Sequence, residues 1–149
     1  MTEVLRVEDD DDFEKIFRIR KIVFVMEQNV PEEEEWDEFE HISRHYIARY
    51  NQIAAGTARW RITMTGDVKL ERFAVLAEYR GHGVGEALVR ALLADVPKRE
   101  GYKIYLHAQI QVQKFYERFG FVPEGELFDE AGITHVKMVW KGKNDNPVS

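Results

Sequence analysis

The stretch RFAVLAEYRGHGVGEALVRALLADVP, Arg72 to Pro97, constrains the fold more than any other part of the chain. It opens on an alternating apolar segment that suits a half-buried strand. It then passes Gly81, Gly83 and Gly85 and enters a segment with Val84, Leu88, Leu92 and Val96 at four-residue spacing, the pattern of a helix with one apolar face. Ala87, Val89, Ala91 and Leu93 broaden that face, and Pro97 and Gly101 punctuate its end. A strand must therefore turn into a buried helix, with three residues that lack side chains at the corner.

Three readings compete for RGHGVG. A dinucleotide fold wants GxGxxG straight after its first strand, with an acidic residue about 20 positions on; here the spacing is GxGxG, the segment comes late and LAEY intervenes. A Walker loop needs Lys then Ser or Thr after its last glycine, where this chain has Glu86 and Ala87. The third reading uses the backbone alone. A helix starting near Gly83 leaves first-turn amides without intrahelical partners and adds partial positive charge from aligned peptide dipoles. Glycines let an anion such as a pyrophosphate approach those amides, and Arg80 and His82 flank the turn. A glycine corner that holds no ligand remains the alternative.

The neighbouring segments supply the rest of the fold. Glu3 to Val7 alternates, and Asp9 to Asp12 then offers helix-capping residues. The helix expected over roughly Asp11 to Glu27 sets Phe13, Ile16, Phe17, Val23 and Phe24 on one broad face. The pattern breaks near Pro31, and EEEEWDEFEH reads as a loop or short helical turn. HYIARY, IAAGTARWRIT and VKLERFAVL, separated by NQ and TGD, predict an antiparallel meander. YKIYLHA is a further strand, IQVQKFYERFG a short helix stopped by Gly120, and FVPEGELF and THVKMVW two strands joined by DEAGI. The expectation is a mixed α/β domain over residues 1–141, with a mostly antiparallel central sheet of about seven strands, and a polar tail over 142–149.

Composition narrows the chemistry. The chain has 149 residues and no cysteine, which excludes disulfides, thiolate metal sites and an acyl-cysteine intermediate. A formal charge of −6 argues against a nucleic-acid partner, since phosphate binding rests on Lys and Arg. No apolar run reaches the roughly 18 residues of a membrane span, and the acidic start is unlike a secretory signal, so cytoplasm is the expected compartment. His41, His45, His82, His107 and His135 are too scattered to suggest a metal site. The acidic runs Glu8 to Asp12 and Glu32 to Glu40 read as solvated helix starts and loops, or, for the second, as an attractor of a cationic substrate.

Arg80, Gly83 and Gly85 match the (Gln/Arg)xxGx(Gly/Ala) signature of the GNAT acyltransferase superfamily, and ERFAVLAEY resembles its fourth strand. The order of segments is similar over nearly the whole chain. IRKIVFVMEQNVPEEEEWDEFEH and FVPEGELFDEAGITHVKM resemble the small ElaA-like branch. The resemblance implies acetyl-CoA as cosubstrate and no metal. It lays the pyrophosphate on the amides of Arg80, Gly81, His82, Gly83, Val84, Gly85 and Glu86, and pairs the pantetheine arm with the backbone of Phe73, Ala74 and Val75.

Acetyl transfer to an amine needs a neutral nucleophile, a stabilised oxyanion and a protonated leaving thiolate. A free lysine, with pKa about 10.4, is neutral only about once in 2,500 at pH 7, a cost near 4.6 kcal/mol, so the need for a base depends on the acceptor. With an acyl-cysteine excluded, direct attack in a ternary complex is the economical route, since holding both reactants supplies about 7 to 11 kcal/mol. By resemblance, a backbone N–H near Ala74 or Val75 faces the oxyanion and Tyr116 protonates the leaving thiolate. Gln109 stands where the superfamily often has an Asn on the pantetheine. Glu71 and His107 are candidate bases, with alternation leaving the direction of Glu71 open. Glu27, Gln28, Trp36 and His41 lie where the superfamily builds its acceptor pocket, and His135 follows the final hairpin; loop packing is their alternative role. The expected activity is N-acetylation of a small-molecule or protein amine, with a non-catalytic acyl-CoA sensor as the alternative. Dimerisation through the last strands is left open.

Overall fold

The structure, a computed structural model, describes residues 1–142; apart from Gly142, the expected tail lies outside the described residues. In chain order the elements are β1 (Thr2–Arg6), α1 (Asp10–Arg20), a π-helical segment (Lys21–Glu27), α2 (Glu32–Glu35), β2 (Arg44–Tyr50), β3 (Ile53–Ile62) and β4 (Val68–Val75). A 3-10 turn (Ala77–Tyr79), α3 (Val84–Asp95), β5 (Ile104–Gln109), a second 3-10 turn (Ile110–Val112), α4 (Gln113–Glu117), β6 (Phe121–Glu130) and β7 (Ile133–Trp140) follow. The strands run β1-β2-β3-β4-β5-β7-β6 in one sheet. β4 and β5 pair in parallel, while β1–β2, β2–β3, β5–β7 and β6–β7 are antiparallel, so the mixed, mostly antiparallel sheet expected of the sequence is present.

The chain gathers into two compact units, one of Met1–Arg61 with Glu71–Val96, the other of Ile62–Leu70 with the chain from Pro97 on. In the first unit, Asp9 caps α1 by accepting from the Asp12 amide at 2.8 Å, and Ile16 and Ile19 are fully buried. The single helix expected through Glu27 changes register at Lys21, where the Gln28 amide reaches back five residues to the Val23 carbonyl at 3.1 Å. Val23 packs with Ile19, Ala74 and Leu76, and Glu27 is exposed.

β2 and β3 meet at Asn51 and Gln52, both with positive φ, as a two-residue hairpin turn that follows the strand twist requires. At Gly56 on β3 a Cβ would lie 3.0 Å from both the Ala74 carbonyl oxygen and a Val84 methyl. The bare backbone there lets β4 and α3 close down on β3. Val84, Leu88, Val89 and Leu92 are the buried face of α3, in the spacing seen in the sequence.

In the second unit, β4 pairs with β5 through Val68–Leu70 against Ile104–Leu106. Leu70, Leu106, Met138 and Phe121 are buried with Tyr116 and Phe119 from and after α4. The β6–β7 connection is tighter than DEAGI suggested: the strands extend to Glu130 and Ile133, leaving Ala131 and Gly132, both at positive φ, as the turn. A bulge between Glu124 and Phe128 shifts the β6 register, with Gly125 at φ 83 inside it.

Candidate active site

The glycine corner lies wholly within the first unit. The chain leaves β4, makes the 3-10 turn and reaches Gly81 and Gly83, both at φ 82 in the left-handed region that glycine alone adopts without strain. A Cβ built at either position meets no heavy atom within 4 Å. The two glycines are therefore not packing devices; the space beside them is open. Gly83 is the N-cap of α3, and no side chain caps it. The helix thus presents its N-terminal dipole and first-turn amides to that space, the backbone arrangement that receives an anion.

Arg80 is held at the corner from two sides. Its Nε donates to the Val75 carbonyl at 2.9 Å, and its two Nη atoms donate to Glu27 at 2.6 and 2.8 Å. The bidentate hydrogen bond from Arg80 holds Glu27 below the usual carboxylate range and raises Arg80. Glu27, expected at an acceptor pocket, is thereby brought to the corner, from the end of a π-helical segment that sequence periodicity does not reveal. His82 lies beside Tyr50, with ring centroids 5.1 Å apart, and Tyr79 lies 5.9 Å from Tyr50. Tyr50 carries no sequence signal, because only the β2–β3 hairpin brings its ring here.

Glu71 belongs to an ionic network. Its Oε2 accepts from Arg59 Nε at 2.8 Å, from Arg61 Nε at 2.9 Å and from Arg59 Nη2. A carboxylate gripped by two guanidiniums is committed to them and is a poor recipient for a substrate proton. Arg59 also binds Asp37 at 2.7 and 3.1 Å and Glu40 at 2.9 Å. Arg20 joins Glu35 at 2.6 Å to Glu40 at 2.8 Å, and Arg72 joins Asp37 at 3.0 Å to Glu35 at 3.3 Å. Burial raises Glu35 against the pull of Arg72 and Arg20. For Glu40, burial is outweighed by Arg20 and Arg59, and its carboxyl is held down to about 2. Three acids of the run at Glu32 to Glu40 thus face inward onto arginines. Solvated loop and substrate attractor both describe only its remaining, exposed members Glu32, Glu33, Glu34 and Glu38.

Arg72 has φ 61 within β4, an uncommon conformation for a residue with a side chain, of the kind found at bulges and functional sites. It lies immediately before Phe73, Ala74 and Val75, of which Ala74 is buried. Of the other expected acceptor residues, Trp36 stands edge-on to Phe17 at 5.3 Å with the Arg20 guanidinium 4.9 Å from its ring. Gln28 is half-buried and His41 is exposed.

The second unit holds the remaining candidates. Tyr116 is buried between Phe115 and Phe121, at ring distances of 5.1 and 6.1 Å, and burial pushes its phenol up. Gln109 accepts from Gln111 at 2.6 Å and pairs in register with His135. His135 is buried, its Nδ1 bonded to the Ile133 carbonyl at 2.7 Å and its ring stacked on Phe128 at 5.9 Å. His107 bonds Glu130 through Nδ1 at 2.9 Å.

Residues 19–141 match the Acetyltransferase (GNAT) domain family. The N-acetyltransferase YjcF of Bacillus subtilis is 38% identical over 133 residues, 88% of this chain and 94% of its own. Protein ElaA of Escherichia coli is 33% identical over 129 residues, 83% of each chain. The crystal structure of Escherichia coli ElaA aligns with a TM-score of 0.78 at 26% identity, covering 95% of this chain and 100% of that one. That of an acyl-CoA N-acyltransferase from Pseudomonas aeruginosa aligns with a TM-score of 0.75 at 25% identity, covering 94% and 98%.

Proposed function

Because the chain belongs to the GNAT acetyltransferase family, near its ElaA-like branch, we propose that it moves an acetyl group from acetyl-CoA to a primary amine by direct attack in a ternary complex. Acyl-CoA-dependent N-acyltransfer is the activity of that family; the acetyl group, the amine class and the order of events are the proposal. One observation carries it: two left-handed glycines with open space at their missing Cβ positions, at the uncapped N-terminus of a 12-residue helix. A corner built only for packing would fill that space.

The pyrophosphate of acetyl-CoA is received by the amides from Arg80 to Glu86, with the Arg80 guanidinium kept at the corner by Glu27 and the Val75 carbonyl. The pantetheine arm runs along the backbone of Phe73 to Val75, and an amide at Ala74 or Val75 donates to the oxyanion, the kind of contact worth about 3 to 4 kcal/mol. The amine's electron pair forms the C–N bond as the C–S bond breaks. Tyr116, its phenol raised by burial, supports the leaving thiolate as a hydrogen-bond donor. The absence of cysteine closes an acyl-thioenzyme route, which supports attack by the amine itself.

Calorimetry with acetyl-CoA and release of the CoA thiol with ethylamine, benzylamine, spermidine and lysine amide test the reading. We expect binding and transfer by the wild type. Gly83→Ala puts a methyl into the open space at the price of about 1 to 2 kcal/mol of left-handed strain, and affinity should fall roughly tenfold in a protein that still folds. Unchanged affinity removes the phosphate site. Binding without transfer to any amine marks a non-catalytic acyl-CoA sensor.

A further inference from the structure

Within the second unit, β5 alternates cleanly. Ile104, Leu106 and Ala108 are buried, while Tyr105, His107 and Gln109 line the opposite face with their cross-strand partners Val139, Lys137 and His135 on β7. β6 would not reach this arrangement in a regular ladder. Its bulge takes up extra residues between Glu124, opposite Lys137, and Phe128, opposite His135, and so carries Phe128 and Glu130 to the same face. Bulges recur where a strand must re-aim a side chain beside a site.

The result is an oriented imidazole. Glu130 Oε1 lies 2.9 Å from His107 Nδ1, and Phe128 stands edge-on to the ring at 4.8 Å. A carboxylate can only accept, so Nδ1 carries the hydrogen and Nε2 is left as the basic nitrogen. Among the described residues, the ring's hydrogen bond is this one. The His107 side chain is 24% exposed, open enough for a substrate ammonium to reach it. The hydrogen bond from His107 holds Glu130 below the usual carboxylate range, so Glu130 stays ionised and remains an acceptor for the Nδ1–H. Of the other charged groups, Lys137 lies 4.7 Å from the Tyr105 ring and 3.8 Å from Glu124, while Lys69, on the neighbouring strand opposite Tyr105, adds its positive charge to the field at Glu130. His135 spends its Nδ1 on the Ile133 carbonyl. Glu71, the competing candidate, is bound by Arg59 and Arg61.

Resting on the transferase reading, we propose that His107 is the general base and that Glu130 is the positioning residue that fixes its tautomer and orientation. His107 Nε2 takes one proton from the acceptor's ammonium. The neutral amine forms the C–N bond as the C–S bond breaks, the second proton lost by that nitrogen passes to the departing thiolate, and the imidazolium returns its proton to solvent.

Long-range nitrogen-proton NMR of the imidazoles needs no acceptor. We expect the Nδ1–H tautomer for neutral His107 in the full chain, and loss of that single tautomer in Glu130→Gln, whose amide can donate as well as accept. With acetyl-CoA and the fastest of the four probe amines, kcat should fall in Glu130→Gln and recover toward wild type in Glu130→Asp, with the KM for acetyl-CoA unchanged. His107→Gln should lower kcat by about 10² or more, with acetyl-CoA affinity unchanged as the control for folding. An Nε2–H tautomer in the wild type, an unchanged tautomer and kcat in Glu130→Gln, or an unaltered kcat in His107→Gln overturns the assignment. If the wild type acetylates none of the amines, the transferase reading fails and the base assignment falls with it, whereas transfer that ignores His107 sinks this inference alone.

Discussion

A phenol buried between aromatic rings, as Tyr116 is, keeps its proton at any pH near neutrality, because burial raises it above an already high value of about 10. Full proton transfer to a thiolate, whose conjugate acid sits near 8.5, is then uphill by at least about 2 kcal/mol. Tyr116 is suited to stabilise the departing sulfur by donating a hydrogen bond while the proton is made up from elsewhere. Tyr116→Phe keeps the ring packing and removes only the hydroxyl, so we expect kcat to fall by about 10² while the calorimetric affinity for acetyl-CoA and the melting temperature stay near wild type. An unaltered kcat would reduce Tyr116 to packing against Phe115 and Phe121. At this scale the sequence was legible where the backbone itself is the functional group: Gly81 and Gly83 announce a left-handed turn because few other residues tolerate one. Glu27, Tyr50 and Glu130 were not, since a π-helical segment, a hairpin and a bulge respectively bring them to their partners, and none of these leaves a periodic mark.

The loop around α2 shows what an acidic run does when arginines lie beneath it. EEEEWDEFE suggests solvation, yet Glu35 is buried and Glu40 is largely so, because Arg20 and Arg59 are themselves buried and need counter-charges. Arg20 is in α1, Arg59 in β3 and Arg72 in β4, so the pairing is non-local and charge counting cannot find it. Removing one partner of such a network strands a buried charge. Glu40 is depressed from 4.5 to about 2; its stabilisation is full above about 4.5 and fades as pH falls toward about 2. Glu35, raised by burial, has the opposite sign, present below its ordinary value and lost as pH rises through its folded one. Glu40→Gln should therefore cost on the order of 3 kcal/mol at pH 7, and the gap to wild type should close as the pH of urea denaturation is lowered from 5 to 2. A gap independent of pH would show that the Glu40 charge is not what holds the loop.

Across the whole molecule, the order of elements could be read from turn residues and apolar periods, which are local signals. The grouping of the residues could not, because it depends on how far each ladder extends: β4 gives Val68–Leu70 to one unit and Glu71–Val75 to the other. Each unit is also assembled from two separate stretches of chain, so neither can be cut out as one continuous segment, and melting either withdraws residues of a strand that the other uses. We propose on this ground that residues 1–141 unfold as one cooperative domain. The three tryptophans divide between the units, Trp36 and Trp60 in the first and Trp140 in the second. Trp60 donates to the Tyr46 hydroxyl at 2.9 Å and Trp140 to the Phe119 carbonyl at 2.8 Å, so both report tertiary structure. Fluorotryptophan labelling gives each its own fluorine resonance in a single sample of unaltered sequence. Under increasing urea, the Trp60 and Trp140 native signals should vanish with one midpoint and one slope, of about 1 to 3 kcal/mol per molar urea. Two separate midpoints would mean that the strands passing between the units do not couple them, and the single-domain reading would give way to two.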